Sequence, residues 1–97
     1  MFARVVTGMI QHGRVDDATN MYKDRVLPAA RVQQGFQSAT LLSEPTTGKF
    51  VSVTVWDTEA NLAAGEARGY FSKALAAIAP FFAGPATTER FEVVAQD

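Results

Sequence analysis

The sequence contains no cysteine. That absence removes disulfides, thiolate nucleophiles and cysteine-based zinc or iron–sulfur centres in one step. Small secreted domains more often carry disulfide staples, so a reducing, cytoplasmic setting is the expected one. Histidine is nearly absent as well. His12 is the only one, and a single histidine without cysteine does not make a usual zinc or non-haem iron site, so no metal is expected. No run of 18 uncharged apolar residues occurs, which predicts no membrane-spanning helix. Met1 to Thr7 alternates like a strand and lacks the basic start and apolar run of a signal peptide. Positive charge is not in excess: 9 basic against 10 acidic residues give a net charge of −1, which argues against nucleic acid or an anionic membrane as the partner.

What remains is a chain of ordinary globular composition, read as one domain over residues 1–97. Residues 2–11 alternate as a first strand, with Ala3, Val5, Thr7 and Met9 on one face and Phe2, Arg4, Val6, Gly8 and Ile10 on the other. After the polar break Gln11-His12-Gly13-Arg14, Asp16 stands where a helix N-cap belongs, with Val15 before it. Ala18, Met21, Tyr22, Val26, Ala29 and Val32 then recur at helical spacing to about Gln34, and Gly35 suits the C-terminal cap. Pro28 inside that pattern predicts a kink or an end to the regular helix.

Phe36–Ser43 and Lys49–Trp56 read as a hairpin joined by the turn Glu44-Pro45-Thr46-Thr47-Gly48. The second of these strands places Val51, Val53 and Val55 on one face and Phe50, Ser52, Thr54 and Trp56 on the other. Thr58 is the next N-cap candidate. Gly65 and Gly69 predict a weakened, broken helix, followed by a stronger one carrying Phe71, Ala74, Leu75, Ile78 and Phe82. Thr88 to Ala95 reads as the last strand. The order strand–helix–strand–strand–helix–strand predicts an α+β, ferredoxin-like domain with a four-stranded antiparallel sheet. Its helices cover only one face. The other face also carries large apolar side chains, which marks an interface. Burying about 400 Å² per partner at roughly 25 cal/mol per Å² gains on the order of 20 kcal/mol. Association costs about 4–15 kcal/mol, so a homodimer through the sheet face is expected.

The run Gly35-Phe36-Gln37-Ser38 through Gly48-Lys49-Phe50 to Val55-Trp56-Asp57-Thr58-Glu59-Ala60 carries a resemblance. A first helix with a proline near its end, Gly-Phe opening the second strand, and a strand ending in Trp, acid, Thr and Glu resembles the antibiotic-biosynthesis monooxygenase domain family. The resemblance spans essentially the whole chain in length and element order. It implies a dimeric α+β barrel with two sheets face to face and a pocket between each sheet and its own helices. Characterised members of that family are mostly cofactor-free oxygenases of electron-rich aromatic polyketides or quinols, so no cofactor is expected. A second group cleaves haem.

The resemblance makes Trp56 a wall of the substrate pocket; a lone tryptophan at a strand end also serves as a core anchor. The family asparagine four residues earlier falls on Ser52, which offers a hydroxyl in place of an amide. The family's further tyrosine and arginine fall on Leu62 and Ala76, which supply neither group, with Tyr70 and Arg68 close by as possible substitutes. Thr54 and Phe71 complete the expected lining. The haem-cleaving members use an asparagine on strand one and a histidine on the second helix. Here Val5, Val6 and Thr7 occupy the strand, and Tyr70–Phe82 holds no histidine. Asp16-Asp17 fits helix-start chemistry better than a paired-carboxylate site. Arg4, on a face expected to be buried, needs a partner, and Glu89 or Glu92 of the last strand, reached across the dimer, is the expected one. Two functions follow: a cofactor-independent monooxygenase acting on a small aromatic or quinone-like substrate, or a non-catalytic dimeric module that binds a small ligand or answers stress.

Overall fold

Alternation of apolar side chains fixes the sheet. In the computed structural model, which describes residues 1–97, the strands are β1 (Phe2–Met9), β2 (Phe36–Glu44), β3 (Lys49–Trp56) and β4 (Thr87–Glu92). They form one antiparallel sheet in the order β2-β3-β1-β4. The helical elements are α1 (Val15–Met21), a π turn at Tyr22–Val26, α2 (Leu27–Arg31), α3 (Glu59–Ala67), α4 (Tyr70–Ile78) and a short 3-10 turn at Ala79–Phe81. The expected α+β ferredoxin-like architecture is the one observed.

Register assigns every strand residue a face. β1 and β3 pair Arg4 with Thr54, Val6 with Ser52 and Gly8 with Phe50 on the helix-covered side. The opposite side carries Ala3 with Val55, Val5 with Val53 and Thr7 with Val51. On β2 the extra residue Gln37 forms a bulge between Phe36 and Ser38, which keeps Phe36 opposite Trp56. The two rings meet edge to face, 5.7 Å apart.

The core lies between the sheet and the helices in three patches. Ile10, Ala18, Phe50 and Phe81 close one end, and Ala30, Trp56, Leu62 and Tyr70 close the other. Tyr22, Val26 and Ile78 sit between them.

Four local expectations are corrected. The first helix starts at Val15, with Arg14 and not Asp16 at the cap position; Asp16 and Asp17 lie in the first turn, where acidic groups favour the helix dipole. The distortion expected at Pro28 falls upstream. The chain winds into the π turn at Tyr22–Val26 and continues helically into α2, so that Pro28, which has no N–H to give, leaves the irregular hydrogen bonding on the turn before it. Gly65 does not break α3. Its missing side chain makes room for Tyr70, whose ring would stand 3.1 Å from a Cβ there, and the break comes at Gly69. β4 ends at Glu92, so Val93 and Ala95 lie beyond the strand. Thr58 caps α3 as expected, its Oγ1 accepting from the Asn61 N–H at 3.1 Å.

Candidate functional site

Between the two apolar ends, the helix-facing rungs of β1 and β3 carry small or hydroxylic side chains, and the packing is incomplete there. Val6, Ser52 and Thr54 floor a cavity of about 50 Å³. Tyr22 and Val26 of the π turn, Leu41 of β2, and Tyr70, Phe71, Ala74, Leu75 and Ile78 of α4 wall it, and Phe82, Phe50 and Arg4 complete the lining. That volume holds a few water-sized groups. A pocket enclosing a drug-sized molecule is about 300 Å³ or more, so an aromatic ring enters only if side chains swing aside.

Polar groups sit at defined points on this apolar surface. The Tyr22 hydroxyl and Ser52 Oγ are hydrogen-bonded at 2.8 Å. Trp56 Nε1 donates to Thr54 Oγ1 at 3.0 Å. Burial pushes the Tyr22 phenol up against the opposing pull of Ser52, and burial pushes Tyr70 up against the nearby Arg4 charge. Both phenols therefore remain neutral hydrogen-bond donors at physiological pH.

Arg4 is 2% exposed. Its Nη2 donates to the Leu62 carbonyl at 3.0 Å and to Glu66 Oε2 at 3.2 Å, and its guanidinium lies 4.1 Å from the Phe71 ring centre. Arg90 donates to the same Glu66 oxygen at 2.7 Å. Burial lowers the Arg4 pKa and Glu66 opposes that, but a guanidinium starts so high that it stays charged. Burial works to raise Glu66, and the hydrogen bonds from Arg90 and Arg4 outweigh it, leaving the carboxyl below its ordinary range.

The expectation that Arg4 pairs with Glu89 or Glu92 is thus corrected. β4 is β1's neighbour within the same chain, but Glu89 lies opposite Val5 on the other face, and the residue across from Arg4 is Arg90. Two like charges on one rung are tolerable because α3 brings Glu66 down between them.

Of the six expected pocket residues, Ser52, Thr54, Tyr70 and Phe71 meet on this cavity. Trp56 does not line it. It is wholly buried one rung along, against Phe36, Leu62 and Tyr70, and it touches the cavity from behind, through its hydrogen bond to Thr54 and its packing on Tyr70. Arg68 lies outside, on an open groove between the π turn, α2 and α4. Leu62 is fully buried core and Ala76 borders that outer groove. Tyr22 and Arg4 are the polar lining residues the sequence reading did not assign to the pocket. A buried tyrosine at helical spacing needs a hydroxyl partner, and that requirement points across to Ser52. His12 is exposed, and no group of three His, Asp or Glu side chains is placed to hold a metal.

Sequence comparison finds no matching family model and no matching curated protein. Comparison of the folds does. SnoaB, a cofactor-independent oxygenase from Streptomyces nogalater crystallised as an asparagine-to-alanine mutant, superposes with a TM-score of 0.81 at 19% identity, covering 98% of this chain and 94% of its own. A protein from Bordetella bronchiseptica, provisionally named an antibiotic biosynthesis monooxygenase, gives 0.81 at 17% identity over 97% of each chain. The chain has the antibiotic biosynthesis monooxygenase fold. NE2512 from Nitrosomonas europaea, a protein of unknown function, shares that fold with a TM-score of 0.79 at 21% identity, over 99% of this chain and 91% of its own. At such identities the fold alone is common, and the chemistry of the site lies in this chain's own residues.

Proposed function

We propose that the chain is a cofactor-independent monooxygenase-like protein that acts on a small aromatic or quinone-like substrate in the cavity between sheet and helices. The observation that carries this reading is the cavity's make-up: apolar walls from Phe71, Leu75 and Phe82, and hydroxyls from Ser52, Thr54 and Tyr22 at fixed points. Such a slot desolvates and orients a substrate whose own carbon reacts with oxygen. The reaction balances without an added reductant. An activated CH2 and O2 give C=O and water, with the four electrons drawn from the substrate carbon. The fold shared with SnoaB, described as a cofactor-independent oxygenase, supports the same reading.

The test is oxygen uptake with anthrone and no added cofactor. Uptake above the buffer rate, with one anthraquinone per O2 consumed, is expected, and Ser52→Ala and Tyr22→Phe should each lower the rate about tenfold, the size of one lost hydrogen bond. A rate equal to buffer, or variants that turn over like wild type, would sink the proposal. A non-catalytic ligand-binding module is the second reading, favoured by the small volume and by a lining without carboxylate, histidine or lysine to act as base. Ligand stabilisation in a thermal melt without product would select it.

Both readings place the working unit as a homodimer, sheet against sheet, in the manner of a dimeric α+β barrel. All helices lie on one face, while Met9, Leu42 and Phe91 on the other are 42, 51 and 50% exposed. Val5, Val51 and Val53 extend that apolar surface between them. Wild type should sediment at twice the 10.5 kDa chain mass, and Val53→Lys, which places an uncompensated charge in the patch, should sediment as a monomer. A wild-type monomer at tens of micromolar overturns the dimer. No helix is long and apolar enough to cross a membrane, and the cysteine-free composition keeps a reducing cytoplasm as the proposed location.

A further inference from the structure

A buried guanidinium must find acceptors for its donors and a counter-charge, or its burial is costly. Arg4 has only part of this. Its Nε is buried and has no hydrogen-bond partner. Its one carboxylate, Glu66, is shared with Arg90, so the three side chains sum to 2 − 1 = +1. The Phe71 face at 4.1 Å eases the charge without accepting a hydrogen bond from Nε in its plane. This unsatisfied donor and unmatched charge sit on a residue that lines the cavity, and nothing in the lining is negative.

A second observation lies outside. Tyr70 and Ala74 line both the cavity and the open groove between the π turn, α2 and α4. The groove carries Arg25, Arg68 and Lys73 and no acidic side chain, in a chain whose net charge is −1. A cleft lined by one sign of charge concentrates ligands of the other sign at its mouth.

We infer that the cavity takes its ligand as an aromatic oxyanion, drawn in along the Arg25–Arg68–Lys73 groove past Tyr70 and seated on Arg4 Nε. The class is a planar aromatic whose phenol, enol or acid group is already ionised at neutral pH. This rests on the cavity proposed above as the ligand site, and narrows it. A substrate that arrives as its enolate or conjugated phenolate already carries charge on the carbon that meets oxygen and needs no protein base, and the lining supplies none. Tyr22 and Tyr70 line the same cavity and bring no negative charge to it.

Binding, not turnover, tests this. 2-Hydroxy-1,4-naphthoquinone, ionised at neutral pH, is compared by calorimetry with 2-methyl-1,4-naphthoquinone, which has the same rings and a neutral group of similar size. Wild type should bind the ionised quinone at least about tenfold more tightly, the scale of one charge-assisted hydrogen bond. Arg4→Gln should bring the ratio near one, and the double variant Arg68→Ala, Lys73→Ala should slow association of the ionised quinone and flatten its salt dependence. Should Arg4→Gln fail to fold, the wild-type ratio alone decides. Equal binding of both quinones overturns the oxyanion and leaves the cavity as a site. Absence of binding by either overturns both.

Discussion

Trp56→Ala is expected to lower the unfolding free energy by about 3–5 kcal/mol, the range for removing a large aromatic from a closed core. The indole is fully buried at the end of β3. Phe36 packs against it at 5.7 Å and Tyr70 at 6.0 Å, both edge to face, and Ala30 and Leu62 complete the shell. These neighbours belong to α2, β2, α3 and α4, so no single segment can move to fill the space an alanine would leave. The lost indole N–H also strips Thr54 Oγ1 of its donor. Against a total stability of about 5–15 kcal/mol for such a domain, the variant stands near the edge of folding. Urea titration of both proteins measures it, and a loss below about 1 kcal/mol would show that Trp56 is not the anchor of this end. Trp56→Phe keeps most of the volume and should cost far less. Its effect on a ligand is expected to come through the freed Thr54 hydroxyl, because Trp56 stands behind the cavity wall.

The strands were legible because their signal is local. Val51, Val53 and Val55 alternate with Phe50, Ser52 and Thr54, and β3 spans the predicted Lys49–Trp56. The same alternation put Ser52 and Thr54 on the helix-facing side, and helical spacing put Phe71 on the stripe above them, whereas Gly65 and Gly69 leave the direction of Tyr70 open. Alternation alone does not say where along a face the packing closes, so Trp56, on the correct face, was expected one rung too near the cavity. The π turn at Tyr22–Val26 has no local signature, yet it holds the Tyr22 hydroxyl against Ser52, 30 residues away. Arg4 and Glu66 are 62 residues apart and meet only because α3 lies along β1. Register could have excluded Glu89 beforehand: once β4 pairs with β1, a one-residue offset from Arg90 moves a side chain to the opposite face.

Glu66→Gln is expected to cost about 2–3 kcal/mol near neutral pH. Breaking a fully buried ion pair costs roughly 3–5 kcal/mol because it strands the surviving charge, and the lower figure here allows for water screening at the carboxylate. Glu66 is 31% exposed while Arg4 is 2% exposed, so the stranded charge is the deeply buried one. The pH dependence follows from the direction of the Glu66 shift. Its folded-state pKa lies below the unfolded value of about 4.3. The carboxylate's contribution is therefore complete above that pH and is lost as pH falls through the folded-state pKa. Wild type and Glu66→Gln should then differ most above about pH 5 and converge in acid, where wild type also carries an uncharged side chain at this position. Urea midpoints across pH 3–7 give the comparison, and a gap that stays constant to the acid end would show that the charge on Glu66 is not what holds Arg4. The same substitution bears on the ligand. With Glu66 neutral, Arg4 and Arg90 sum to +2 beside the cavity, so an aromatic anion should stabilise Glu66→Gln more than it stabilises wild type. A smaller stabilisation would mean that Glu66 serves the ligand by orienting Arg4 more than it opposes it by charge.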